Sequence, residues 1–168
     1  MHLGFKQNHF KQNQLNLLNI MKFFYALIIT FLSSLSFSQD LNIKFIEQII
    51  HIDFSKIENF MVEGYGFNLT DSKEKSNQLE FFKIPSNNID NAIIIKIFNG
   101  KKINPLEINV AKNYSIIKIK QDFVENNYLY IGELEDVFWL YEKGDLLVMI
   151  SKKPNKVGAH QIIVSNKK

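Results

Sequence analysis

Internal repetition is the feature of this sequence that most restricts its fold. Residues 60–67 read FMVEGYGF and residues 122–130 read DFVENNYLY, and each segment follows a helical pattern and precedes three short apolar runs. The runs cover residues 79–84, 92–98 and 106–110 in the first half, and residues 137–141, 146–150 and 161–164 in the second. The repeated order predicts an α+β fold made of tandem helix-β-β-β repeats, about residues 42–111 and 112–168.

Alternation within the runs predicts an antiparallel sheet with helices packed on one face. Leu106, Ile108 and Val110 alternate with Glu107 and Asn109, as expected when one face is core and the other is wet. Residues 142–145, EKGD, predict a tight hairpin with glycine at a positive φ. This arrangement resembles, in architecture only, the modules of bacterial envelope assembly lipoproteins and tandem-repeat β-lactamase inhibitor proteins. No motif of either family is matched, so the resemblance implies no functional residue.

Apolar spacings of three and four over residues 46–61 predict amphipathic helix, with a break at residues 51–53. The pattern S-x-x-E at Ser55 and Glu58 predicts that a new helix begins after the break. Further positions are expected to begin or end helices: Gly64 as the residue after a helix end, Asn113 as an N-cap, and Asn126 or Asn127 in left-handed conformation.

The N-terminus predicts export. Residues 21–38 combine Lys22, an apolar run and small residues ending at Ser36 and Ser38, which is typical of a Sec-type signal peptide cleaved before Gln39. Residues 1–20 lie ahead of Met21 and are interpreted as a non-native upstream extension. An uncleaved signal anchor is the alternative. The expected destination is the periplasm or the extracellular space.

Removal of residues 1–38 leaves a single domain, residues 39–168, with 17 Lys against 17 acidic residues. A chain with neutral charge and no Arg lacks the electrostatic footprint of a nucleic-acid binder. The absence of Cys excludes a thiolate metal site, cysteine catalysis and a lipid anchor on Cys. No second apolar stretch is long enough to span a membrane, so we expect a soluble domain with no membrane span.

Catalytic and metal-binding patterns are weak. His51 and His160 are the two histidines of the predicted domain, and neither belongs to a ligand set with the spacing of a zinc site. No nucleophile elbow or phosphate-binding glycine loop occurs. The acids Glu133, Glu135 and Asp136 are interpreted as a solvated turn. We therefore expect no cofactor and no metal.

Consecutive aromatic residues on the predicted strands are more apolar side chains than a core on one face of the sheet can bury. In Phe81-Phe82 and in Phe138-Trp139, consecutive strand residues point to opposite faces, so one member of each pair must leave the core side. The predicted open face carries four apolar residues: Ile94, Phe98, Trp139 and Ile163. Such a face suits a protein, peptide or glycan partner. The alternatives are a face covered by a loop or a dimer mate, or a register shifted by one residue.

The sequence thus favours an exported, non-enzymatic binding module of the bacterial cell envelope. One alternative is a small secreted hydrolase or lyase that uses His51 or His160 with a nearby carboxylate. Another is a purely structural homo-oligomer, and a homodimer is compatible with either binding or structure.

Overall fold

The computed structural model describes residues 41–71 and 77–167 and shows an α+β fold with a single antiparallel sheet of eight strands. Export and cleavage were predicted for residues 1–38, which lie outside the described residues. The helices are α1 (Ile43–His51), α2 (Ile57–Asn59) and α3 (Ile116–Glu125), with 3₁₀ turns at Phe54–Lys56, Pro85–Asn87 and Ile89–Asn91 and a π-helical turn at Phe60–Gly64. The strands are β1 (Asn68–Asp71), β2 (Gln78–Lys83), β3 (Ile93–Phe98), β4 (Leu106–Val110), β5 (Leu129–Leu134), β6 (Phe138–Lys143), β7 (Leu146–Ser151) and β8 (His160–Asn166).

The sheet order is β1-β2-β3-β4-β8-β7-β6-β5. The first half of the chain therefore supplies four neighbouring strands, and the second half supplies the other four. The halves meet where β4 pairs with β8. The predicted three strands per half are one too few, because β1 and β5 are also present. Both missed strands form the edges of the sheet and contain a bulge, so neither shows regular apolar alternation.

The helix boundaries correct several predictions from the sequence. The break after His51 is present, but Asp53 rather than Ser55 caps the next turn by accepting a hydrogen bond from the Ser55 N–H. Ser115, not Asn113, caps α3. Gly64 lies inside the π-helical turn, and Gly66, two residues later, takes the positive φ, at +66°.

Two turn predictions are confirmed. Asn127 takes the left-handed conformation after α3, with φ +67°, and Gly144 does so in the β6–β7 hairpin, with φ +56°.

The core lies between the helices and one face of the sheet. Across the middle of the sheet, one register row places Ile95 against Ile108, Ile108 against Ile162 and Ile162 against Ile150, and all four side chains are fully buried. The helices contribute Phe45, Ile46, Ile49, Ile50, Ile57, Met61, Ile119 and Phe123 to the same core. We call the side of the sheet toward these helices the helix face, and the opposite side the outer face.

Within residues 41–71 and 77–167, the longest helix has ten residues, and none is long and apolar enough to cross a bilayer.

Candidate functional site

The structure places three of the four predicted binding residues on the outer face. Ile94, Phe98 and Ile163 alternate with buried neighbours along β3 and β8, and Ile94 is 38% exposed. Trp139 corrects the prediction, because it pairs with buried Ile150 and packs against the core on the helix face. The Lys120 ammonium of α3 lies 3.6 Å from the centre of the Trp139 ring. This cation–π contact holds the indole under the helix and away from the outer face.

The outer face of the second half carries a contiguous group of apolar residues. Ile163, Met149 and Leu140 lie side by side in one register row across β8, β7 and β6. Phe138 and Leu147 lie on the same face in neighbouring rows. We define the outer patch as these five half-buried residues: Phe138, Leu140, Leu147, Met149 and Ile163. None of these five residues belongs to the buried core formed by the described part of the chain.

In the first half, the same register row is polar. It continues from Ile163 through Glu107 and Lys96 to Glu80. The Lys96 ammonium lies 3.5 Å from a Glu80 carboxylate oxygen, and the Gln161 side-chain amide donates to Glu107 over 2.8 Å. A single row of the outer face therefore changes from ionic to apolar at β8, whereas Ile94 and Phe98 are apolar residues that the first half presents in other rows.

The two histidines lie in different places. His51 is exposed in the last turn of α1. The His160 ring is half-buried, with Nδ1 3.3 Å from the Ser151 hydroxyl and 3.1 Å from the Ser151 carbonyl oxygen. Throughout the described ranges, neither imidazole lies within 4.0 Å of a carboxylate oxygen.

Glu47 forms a polar cluster that the sequence did not predict. Its Oε1 accepts hydrogen bonds from the Lys143 ammonium, over 2.7 Å, and from the Tyr128 hydroxyl, over 3.2 Å. Burial, and then the Glu47 charge, raise the pKa of Tyr128 above its ordinary value. Glu47 and His51 also line two open clefts of about 470 and 600 Å³. The spacing of four residues between them on α1 was a signal in the sequence, whereas the contacts from Lys143 and Tyr128 depend on tertiary packing.

The acidic turn between β5 and β6 holds a lysine. The Lys152 ammonium donates to both Glu133 and Asp136, and these bonds raise the pKa of Lys152. The bond from Lys152 lowers the pKa of the Asp136 carboxyl. Asp136 and Glu135 both have positive φ, so the turn is tight as well as charged. In the described part of the chain, no three His, Asp or Glu residues are placed to hold a metal ion.

Comparison with protein-family models, curated protein sequences and solved structures gives no match for this chain.

Proposed function

We propose that this protein is an exported, non-enzymatic binding module of the bacterial cell envelope, and that it binds a protein or peptide through the outer patch. The observation that carries the proposal is the change from ionic to apolar character within one register row of the outer face. Export is supported by the signal-peptide pattern of residues 21–38.

The chemistry of the outer patch favours a protein or peptide over a glycan. Its side chains are aliphatic, aromatic or thioether groups, none of which forms the strong hydrogen bonds that orient sugar hydroxyls. Met149 lies at the centre of the row, and a flexible thioether adapts to apolar side chains of varied shape. Apolar anchors of a partner are thus the expected ligands.

Binding measurements on two matched double variants test this proposal. The partner is first identified by mass spectrometry after capture on the wild-type protein from envelope extracts, and its affinity is then measured by calorimetry. Leu140→Ser/Met149→Ser removes two adjacent apolar side chains and is expected to raise Kd about 30-fold or more, the effect of losing an interface hot spot.

The control is Lys96→Ser/Glu107→Ser, which changes two adjacent residues of the same row in its polar half. We expect its Kd to stay within about threefold of the wild-type value, since both residues lie outside the outer patch. Circular dichroism of both variants checks the fold. Equal affinity of the patch and control variants, or capture of the same proteins by the patch variant, would contradict the proposal.

One observation favours a second candidate function, a small hydrolase or lyase. His51 and Glu47 line the same clefts, which places an imidazole and a carboxylate beside one open volume. Glu47 is already bonded to Lys143 and Tyr128, which is why we place binding first. A screen with chromogenic ester, phosphate and glycoside substrates tests this function. Turnover that is lost in His51→Ala and kept in His160→Ala would support it, and no turnover by wild type would contradict it.

A further inference from the structure

Exposed apolar side chains concentrate at one edge of the molecule. Among the described residues, eleven large hydrophobic side chains are exposed, and seven of them belong to α3, β5 and the turn after β5. We call this set the edge surface: Ile117, Val124, Leu129, Tyr130, Ile131, Leu134 and Val137. Their exposed fractions run from 43% to 68%. β5 ends the sheet, so no other described strand covers its free side.

The opposite edge of the sheet lacks these properties. β1 has four residues, NLTD, of which only Leu69 is apolar, and Leu69 packs against the core. Natural sheets protect their edges with short or polar strands, because unpaired N–H and C=O groups template pairing with another chain. β5 has six residues, three of which are exposed Leu or Ile. β1 is therefore short and polar, whereas β5 is longer and exposes apolar side chains at its edge.

The apolar stripe of α3 faces the same edge. β4 and β5 are parallel, because four antiparallel pairings separate them, and α3 connects them. In a right-handed crossover, the form that nearly all such connections take, the flank of α3 that carries Ile117 and Val124 turns toward β5. Lys120, between them on the helix, reaches Trp139 of β6, the neighbour of β5. A single added strand would leave Ile117 and Val124 uncovered.

We propose that the edge surface is the interface of a two-fold symmetric homodimer, in which β5 pairs antiparallel with β5 of a second copy. The symmetry places α3 beside α3 of the second copy on one face of a continuous sheet. Both apolar stripes then turn toward the two-fold axis. A standard interface buries roughly 800 Å² per partner, and seven large apolar side chains that are each at least 43% exposed supply much of such an area.

The bulge in β5 makes the strand complementary to itself. Residues five apart in a regular strand lie on opposite faces, but the bulge between Tyr130 and Gly132 puts Leu129 and Leu134 on the same outer face. Symmetric pairing then sets Leu129 opposite Leu134 of the second copy, and Tyr130 opposite Glu133. A tyrosine hydroxyl can donate to that carboxylate. The acidic turns lie at opposite ends of the pairing, so like charges are kept apart.

Sedimentation velocity of the exported chain tests the dimer. Wild type is expected to dimerise with Kd on the order of 1 μM or lower. Ile117→Lys/Val124→Lys changes two exposed residues of α3 and is expected to weaken dimerisation at least tenfold. Ile84→Lys/Ile89→Lys is the matched control, since it charges two exposed isoleucines far from β5 in the sheet order and should leave Kd unchanged.

Disulfide trapping tests the register. The chain has no Cys, so Leu129→Cys/Leu134→Cys introduces the only thiols. Within one chain the two positions are about 13 Å apart, too far for a bond, whereas across the two-fold axis they face each other. Mild oxidation should give a covalent dimer, and Ile84→Cys/Ile89→Cys should not. A monomeric wild type, open-ended oligomers, a dimer insensitive to Ile117→Lys/Val124→Lys, or absence of the disulfide would overturn the proposal.

Discussion

At the scale of single residues, Tyr128 links stability to pH. The phenol is 1% exposed and donates to Glu47, and burial followed by the Glu47 charge raises its pKa. Unfolded tyrosine loses its proton near pH 10, while folded Tyr128 keeps it, so the free energy of unfolding should fall as pH rises above about 10. Tyr128→Phe should cost about 1 kcal/mol at neutral pH through loss of its hydrogen bond, and should make the alkaline fall less steep.

Urea unfolding at a series of pH values measures this effect. Burial also raises the pKa of Tyr141. The free energy of unfolding of the Tyr128→Phe variant should therefore still fall in part at alkaline pH. Tyr65→Phe is the control, because it also removes a phenol hydroxyl that donates a hydrogen bond, to Gln48 over 2.9 Å, and lies outside the Tyr128–Glu47 pair. Parallel pH profiles for wild type and Tyr128→Phe would refute the assignment.

Gly100, in the connection between β3 and β4, is a position where the surrounding atoms leave no room for a side chain. A Cβ added there would lie 1.9 Å from the Ile103 carbonyl oxygen and 2.9 Å from the Pro105 ring. Neither group belongs to a flexible side chain, so Gly100→Ala should lower the free energy of unfolding by roughly 1–3 kcal/mol. Gly64→Ala is the matched control, since a Cβ at Gly64 meets nothing within 4 Å. Equal thermal midpoints for the two variants would show that the β3–β4 connection relaxes freely.

At the scale of elements, substitutions of two neighbouring isoleucines in β3 test the register of the sheet. Ile95 is fully buried and Ile94 is 38% exposed. Ile95→Ala should cost about 2–5 kcal/mol through lost burial and the resulting cavity, and Ile94→Ala less than about 1 kcal/mol. Chemical denaturation compares the two. A larger loss for Ile94→Ala would mean that the strand is shifted by one residue, which would exchange its faces.

The same strands show what the sequence could determine. In β4, Glu107 and Asn109 mark the outer face, so alternation was sufficient to predict the inward residues. In β6, apolar side chains occupy both faces, with Phe138 and Leu140 outside and Trp139 and Tyr141 inside. The polar residues of β6, Glu142 and Lys143, are consecutive and therefore do not set the phase, which is why the sequence predicts the wrong face for Trp139. Edge strands escape prediction for a related reason, since bulges interrupt the period of two.

At the scale of the whole molecule, pairing of β4 with β8 joins the two halves into one cooperative unit. Five residue pairs connect these strands, and their buried residues belong to a single core with the helices of both halves. A cut between the halves would expose this core, so neither half should unfold alone. We expect one two-state transition.

The sole tryptophan makes this expectation measurable. Trp139 lies in the second half, so its fluorescence reports that half, while far-UV circular dichroism reports both. A Trp139→Phe/Phe60→Trp variant moves the reporter to the first half, where Phe60 packs against the core. All three signals should give the same urea midpoint once the Trp139→Phe/Phe60→Trp variant is corrected for its own stability. A Trp139 transition at lower urea than the Phe60→Trp transition would show that the sheet separates at β4–β8 before the first half unfolds.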